Sequence, residues 1–249
     1  MPSVDSNLSR WDQDWGHNGD DWSHAWGSGE AMWRGSVYAR IGRFLPTDSL
    51  LEIAPGHGRL TAMLLPHCQR YVGVDLAPSC VEACRARFRD VTKARFVRTD
   101  GTSLPEVDAA SIDFAFSWDS LVHADQKVLH AYLAELARVL KPGGAAFLHH
   151  SNLGSLVDAT GALTVENPHW RDPGVSADTV RDAAGAVGLH CVTQECIQWG
   201  VSHANDCFSL LRRPASASAP APGTQRFEHP DFNSEMRLSA ALDAGYWRS

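Results

Sequence analysis

Two hydrophobic periods alternate along this chain. Short runs rich in Val, Ile, Leu and Phe read as strands: "LLEIA" at 50–54, "RYVGVDL" at 70–76, "ARFVRTD" at 94–100, "SIDFAFSW" at 111–118 and "AAFLHHSNL" at 145–153. "HCVTQECIQWG" at 190–200 and "DCFSLLRR" at 206–213 continue the set. Between them lie segments with helical spacing: "GRLTAMLLPHC", "APSCVEACRARFRD", "QKVLHAYLAELARVL" and "SADTVRDAAGAVGL". In the third of these, Val128, Leu129, Tyr132, Leu133, Leu136, Val139 and Leu140 share one side, and "KPGG" stops the helix. Strands alternating with helices predict an α/β fold with a seven-stranded, mostly parallel sheet covered on both faces. Ligands of such sheets bind beyond the carboxyl ends of the strands.

The two ends of the chain break this rhythm. Residues 1–33 hold five of the nine tryptophans, Trp11, Trp15, Trp22, Trp26 and Trp33, at spacings close to one helical face. "GHNGDDW" interrupts them with turn residues, which predicts short helices capped near Asp20 or Asp21. Residues 34–45 read as a further helix. The tryptophan face suits packing on the main domain, and equally a lid whose aromatic rings, Trp22 and Trp26 among them, stack on a ligand. At the other end "RRPASASAPAPGTQ" reads as a flexible or extended linker. A helix around Ser234–Leu242 would then either dock back or lie in a disordered tail. The division is therefore a helical cap at 1–45, a core at 46–212, and a linker and tail at 213–249.

Composition narrows the partners. A hydrophobic content of 44% is enough for a substantial core, and the net charge of −7 argues against nucleic acid, which needs a basic stripe. No apolar run approaches the length of a membrane span, and the polar, acidic start does not read as a signal peptide. Six cysteines without a C-x-x-C pair are expected to be reduced thiols in a cytoplasmic protein.

Acids stand at three successive strand ends. Glu52 precedes a turn with Gly56 and Gly58, where the backbone can approach a ligand closely and a helix begins. No lysine follows, so this is not a phosphate loop, and Thr61 stands where a dinucleotide fingerprint has its third glycine. Asp75 can accept from both hydroxyls of a ribose. Asp100 can accept from an exocyclic amine while the Gly101 N–H donates to a ring nitrogen. Together these acids outline an adenosine pocket.

The succession "LLEIAPGHGRLT", "YVGVDLAP", "FVRTDGTSLP", "IDFAFSWDSLVH" and "ARVLKPGGAAFLHH" resembles the class I S-adenosylmethionine-dependent methyltransferases, over about residues 34 to 211. Ala54-Pro55 departs from the usual first glycine of the turn. The resemblance implies a Rossmann-like fold and S-adenosyl-L-methionine as cofactor. It also implies that Glu52 neighbours the methionine amino group, that Leu76 lies beside the adenine, and that Ser117 lies near the methionine part. A sulfonium carries positive charge and no phosphate, which fits an acid before the turn and no lysine after it.

For the acceptor, "FLHHSN" offers His149 and His150. Neighbouring strand residues face opposite ways, so one of the two is expected to face the cleft and take the proton of a hydroxyl as general base. Asp119 and His123 follow the fourth strand, and "ENPHWRDPGVS" inserts Trp170 and Arg171 where an acceptor would be covered. With Gln194, Glu195, Trp199 and Asp206, these residue types suit a polyhydroxylated ligand. "FSWDSLVH", "FLHHSN" and "HWRD" also resemble bacterial sugar and natural-product O-methyltransferases. Some sugar methyltransferases use Mg²⁺, for which Asp119 is a candidate ligand, although the sequence supplies no octahedral set. The expected activity is methyl transfer to a hydroxyl of a sugar or other small molecule. The alternatives are methylation of an amine or non-sugar metabolite, and a silent adenosine-binding module. An NAD-dependent dehydrogenase is disfavoured by the missing glycine. Homo-oligomerisation is left open.

Overall fold

Each central strand of this sheet buries both of its faces, which is why the strands read as continuous apolar runs rather than as alternating ones. A computed structural model describes residues 2–216 and 223–247. In β1 (Thr47–Ile53), Leu50 and Leu51 pack into opposite cores. In β4 (Ile112–Ser117), Phe114 and Phe116 face one core and Ala115 the other. In β5 (Leu140–Ser151), Phe147 and Leu148 divide in the same way. The remaining strands are β2 (Cys68–Asp75), β3 (Ala94–Arg98), β6 (His190–Ile197), β7 (Asp206–Arg212) and β8 (Gln225–Glu228). Their order is β3-β2-β1-β4-β5-β7-β6-β8, with only β7 antiparallel to its neighbours.

The eighth strand corrects the expected seven. Gln225–Glu228 pairs in parallel with β6 although all four residues are exposed, so no apolar pattern could announce it. Part of the stretch read as a linker, residues 217–222, lies outside the described residues. The "KPGG" turn belongs to the start of β5, where a Cβ on Gly144 would come within 2.9 Å of the Lys141 carbonyl. Only glycine lets the backbones approach there.

Helices cover both faces. One face carries α6 (Gln126–Val139), N-capped by Asp125, and α7 (Ala177–Ala186), capped by Ser176. The other carries α2 (Gly29–Met32), α3 (Tyr38–Ile41), the short α4 (Thr61–Leu64), α5 (Pro78–Arg87) and α8 (Phe232–Leu242). The N-terminal helix α1 (Val4–Trp11) starts from a Ser3–Ser6 capping box. The expected caps at Asp20 and Asp21 give way to Ser3 and Ser28, which directly precede helical segments and accept from the N–H groups of Ser6 and Ala31. Between α1 and α2, His17, Asn18 and Gly19 turn left-handed and break the tryptophan face in two.

The tail is tied down by charge as well as by apolar contact. Phe232 is fully buried in the core beside α2 and α3. Arg40 donates from Nε and Nη2 to Glu195 of β6, at 2.7 and 2.6 Å, and from Nη1 to Glu235 of α8 at 2.9 Å. The guanidinium thus sits between two carboxylates and joins three distant segments. Replacing Glu235 by Ala should cost roughly 1–3 kcal/mol, because a largely buried guanidinium loses one of its two carboxylate partners. Thermal unfolding should show a midpoint several degrees lower, with a smaller fall for Glu235→Gln. Unchanged melting of both variants would show that this tie does not hold the tail.

Candidate active site

The cavity opens at the carboxyl ends of β1, β2 and β4, and the turn after β1 forms its floor. That turn runs through three left-handed residues, Ala54 (φ +57°), Gly56 (φ +59°) and Gly58 (φ +83°). Glycine takes this conformation freely, whereas Ala54 holds it at a cost of about 1–3 kcal/mol. The departure from a first glycine is thus a strained alanine in the same backbone path. The Gly56 N–H donates to Asp75 Oδ2 at 3.1 Å and the Ala77 N–H to Asp75 Oδ1 at 2.9 Å. Asp75 therefore ties the turns after β1 and β2 together. Its carboxylate keeps further lone pairs for a ligand. Burial pushes its pKa up to about 6.

Glu52 is buried at the end of β1 and lines the cavity. Thr61 donates its hydroxyl to Glu52 Oε2 at 2.7 Å, and the Tyr71 hydroxyl donates to the same oxygen. Burial raises the Glu52 pKa to about 7, with the hydrogen bonds and Arg59 working the other way. Leu76 and Gly101 line the wall beside Asp75. Asp100 does not. Its carboxylate is exposed and accepts from the Thr102 and Ser103 N–H groups and hydroxyls, closing its own loop. The Gly101 N–H is likewise taken by Thr99 Oγ1 at 3.1 Å. The adenine-edge role expected of Asp100 loses its geometry, and "DGTS" carries the reason: two hydroxyl residues directly follow the acid. Ser117 is fully buried behind the wall with no hydrogen-bond partner among the described residues, and its neighbour Trp118 takes the wall position.

The roof is the N-terminal segment. Trp11, Trp15 and Trp22 line the cavity together with Asn7. Trp15 stacks on His57 in the turn, with centroids 4.8 Å apart and planes 4° apart. Trp11 meets Trp15 and Trp22 edge-on, at 5.7 Å in each case. Asn7 Nδ2 donates to the His123 carbonyl at 2.8 Å, and the Ser79 N–H donates to Asp12 Oδ1 at 2.9 Å, so the segment is pinned on both sides. Of the two tryptophans expected to stack on a ligand, only Trp22 reaches the cavity. Trp26 lies past the break, buried, with its indole N–H on Ser36 Oγ at 2.8 Å.

The far wall corrects the expected base. His149 and His150 are both fully buried and neither lines the cavity. His149 Nδ1 accepts the Asp119 N–H at 3.0 Å, so its Nε2 must be the protonated nitrogen that faces Asp206 Oδ2 at 3.1 Å. His150 Nδ1 meets the Ser151 carbonyl and Nε2 meets Ser209 Oγ, each at 2.8 Å. Every ring nitrogen of the pair is used. Burial also lowers the His150 pKa to about 4. Arg171 is structural too: Nε and Nη2 make a two-pronged bond to Asp206, at 2.9 and 2.7 Å. Trp170 lies outside the cavity with Arg10 4.4 Å over its ring. Burial under the inserted loop, rather than exposure in a cleft, explains these polar residues.

Two expected residues do face the cavity. Asp119 holds a left-handed backbone (φ +55°) and places Oδ2 3.4 Å from Arg59 Nη2. His123 lies between Trp11 and Trp170, and its Nδ1 is buried without a partner among the described residues. Nε2 lies 3.4 Å from Arg171 Nη1. Burial, with Arg171 adding to it, lowers the His123 pKa to about 4. Arg59, Asn7 and Trp118 were missed by sequence reasoning, although Arg59 directly follows the glycine turn and Trp118 directly follows Ser117. Among the described residues no three His, Cys, Asp or Glu side chains form a group that could hold a metal ion, so Asp119 has no companions for Mg²⁺. The six cysteines are free thiols, and no described helix is long and apolar enough to cross a membrane.

Comparison with known proteins agrees with this floor. Residues 50–144 match the family described as a methyltransferase domain. Over 162 residues the chain is 30% identical to the biotin biosynthesis bifunctional protein BioHC of Cellvibrio japonicus, covering 63% of this chain and 31% of that protein. Over 99 residues it is 34% identical to the phthiotriol/phenolphthiotriol dimycocerosates methyltransferase of Mycobacterium leprae, covering 38% of this chain and 34% of that one. The chain thus matches about a third of the length of either relative. A solved S-adenosylmethionine-dependent methyltransferase of Methanosarcina mazei superposes with a TM-score of 0.55 at 16% identity, over 71% of this chain and 97% of that one. The [4+2]-cyclase SpnF superposes with 0.54 at 15%, over 73% and 81%. At such identities the likeness is one of fold, and a cyclase on the same fold shows that fold alone does not name a reaction. The acid-glycine turn and the acid ending β2 thus lie within the segment, residues 50–144, that matches the methyltransferase domain family.

Proposed function

We propose that this chain transfers the methyl group of S-adenosylmethionine to a hydroxyl of a small molecule with an apolar or aromatic face, which His123 positions by a hydrogen bond. The observation that carries the reading is the unpartnered, buried His123 Nδ1 beside a cavity roofed by three tryptophans. The residues at the floor fit the cofactor. The turn backbone allows close approach at Gly56, Asp75 keeps lone pairs for a ribose, and Glu52 is a buried carboxylate suited to an ammonium. S-adenosylmethionine supplies an electrophilic methyl group on a sulfonium.

The chain's own residues would do the rest. Asp119 and the indole rings orient the acceptor, and holding the reacting atoms in line supplies much of the rate. The roof excludes water. His123 is held neutral by burial and by Arg171. The guanidinium can only donate, so Nε2 accepts and Nδ1 carries the ring proton, which it can donate to the acceptor oxygen while the hydroxyl proton passes to the Asp119 carboxylate. A saccharide was the acceptor suggested by the polar residues after β5. Arg171, Glu195 and Asp206 are committed to ion pairs, so what supports a sugar is reduced to Asp119 and the tryptophan faces.

Release of S-adenosylhomocysteine across a panel of phenols, aliphatic alcohols, sugars and amines tests the reading. The alcohols should turn over, and His123→Ala should lower turnover roughly ten- to a hundredfold with cofactor binding kept. Turnover of amines alone, or an unimpaired His123→Ala, would refute it. At saturating cofactor the rate should stay flat from about pH 5.5 to 8, because a group with a pKa near 4 is already deprotonated there. A rate falling with a midpoint near 6.5 would point to a different, solvent-exposed histidine.

Cofactor affinity should behave differently. Glu52 has its pKa raised to about 7, so it becomes an anion only as pH rises through that value. Binding of S-adenosylhomocysteine, measured by calorimetry, should therefore strengthen between pH 6 and 8 and lose this dependence in Glu52→Gln. The same pH dependence in the variant would assign it to another group.

A further inference from the structure

We infer that Cys196 and Cys207 form a redox modification site, a cross-strand thiol pair that a hydroperoxide converts reversibly into a disulfide. Neither residue lines the cavity, so the inference does not depend on the methyl-transfer reading.

The first observation is register. β6 and β7 run antiparallel, and Cys196 stands directly opposite Cys207. Opposed residues of antiparallel strands have Cα atoms about 4.5–5.5 Å apart, within the span of about 4.4–6.8 Å that disulfides bridge. The two side chains pack together with Ala177, the first residue of α7, and with Ala204. Both are free thiols. Cys207 is held only by weak contacts, 3.5 Å to the Phe208 carbonyl and 3.9 Å to Ser209 Oγ, which a thiol gives up readily.

The second observation separates the roles of the pair. Cys207 is completely buried, whereas Cys196 keeps 9% of its surface exposed. A small oxidant therefore reaches Cys196 first. The surroundings of Cys196 also favour the thiolate, which is the reactive form. A hydrogen bond from Cys207 lowers the Cys196 pKa, and Arg226 adds to this against burial. β8 brings that guanidinium to Gln194, two residues before Cys196, at 2.6 and 3.0 Å. The N-terminal end of α7, the positive end of its dipole, packs on the same pair. Burial drives the other five thiols the opposite way.

The chemistry follows from these roles. The Cys196 thiolate attacks one oxygen of the hydroperoxide. The O–O bond breaks, an alcohol leaves with a proton, and Cys196 becomes a sulfenic acid. The Cys207 thiol then attacks that sulfur, the S–S bond forms, the S–O bond breaks, and water leaves. Two thiols are oxidised, and the peroxide is reduced to an alcohol and water. The new bond closes a ring around the connection 198–205. That connection carries Trp199, which backs Trp118 on the cavity wall at 5.9 Å. Oxidation thus fixes a support of the cavity without touching its lining.

Hydrogen peroxide on the full chain tests this. Titration under denaturing conditions should show the loss of two of the six thiols, restored by dithiothreitol. Peptide mass mapping should join Cys196 to Cys207. Amide exchange across 198–205 should slow severalfold in the oxidised chain. In Cys207→Ala, dimedone should label Cys196 in place of the crosslink, whereas Cys196→Ala should leave Cys207 unreacted. Circular dichroism melts identify a variant that fails to fold, and the wild-type map then decides alone. A crosslink between other cysteines, one formed only in the unfolded chain, or no loss of thiols would overturn the inference. Unchanged exchange across 198–205 in a crosslinked chain would overturn the lock on the connection.

Discussion

A carboxylate with no access to water must be neutralised where it stands, and much of the acceptor wall is arranged around one such group. Asp206, at the start of β7, is completely buried. Arg171 grips both of its oxygens and His149 adds a third hydrogen bond, which together hold its pKa well below the ordinary carboxylate range against the pull of burial. Removing any one member would leave uncompensated charge in the interior, the situation in which buried pairs are most costly to break. The consequences extend outward. Arg171 reaches His123 with its remaining nitrogen, and His149 holds the N–H of Asp119. Both polar residues of the acceptor side therefore take their positions from an ion pair that the acceptor never touches.

The cofactor side uses a different constraint. Here the backbone of one turn must be brought against the next, and Asp75 does this with two N–H bonds from separate turns. Glu52 is braced by two hydroxyls, and its raised pKa shows that bracing does not fully offset burial. A cationic ligand would supply what is missing. The two halves of the cavity thus differ in kind: the floor holds carboxylates waiting for positive charge, and the far wall holds charges already satisfied.

This difference explains what was legible in the sequence. The strands, the helices, their order and the turn at Glu52 follow from local period and local composition, and the structure keeps them. So does the eventual place of Asp75, because a strand end is a local feature. The choice between His149, His150 and His123 depends on contacts across more than fifty residues, since the Asp206 that occupies His149 lies in another strand. Arg171 and Asp206 looked like ligand groups for the same reason: a charged residue in a loop gives no sign that its partner is already inside the protein. Asp100 was misread on a nearer scale, where the hydroxyls of Thr102 and Ser103 compete for its carboxylate. The strand β8 was invisible because its residues are exposed and it is held by its backbone and by polar side-chain bonds, such as Arg226 to Gln194, that leave no apolar pattern.

The tail has a place in the site despite its distance along the chain. Trp118, on the cavity wall, is backed by Phe147 and Phe208 of the sheet and by Trp199 at 5.9 Å. Trp199 stacks in turn on Phe232 of α8 at 5.7 Å and meets Trp26 at 5.3 Å. Aromatic rings in contact transmit shape because close-packed interiors leave them little room to move. The Trp118 ring is thus held in place through a run of rings ending in the C-terminal helix. Beyond the break at His17–Gly19 the segment turns back, so that Trp22 joins Trp11 and Trp15 over the ligand side while Trp26, one turn further on, enters the buried stack. One tryptophan-rich segment thereby serves the front of the wall and its support at once, and the ion pairs of Arg40 fasten that support to the tail.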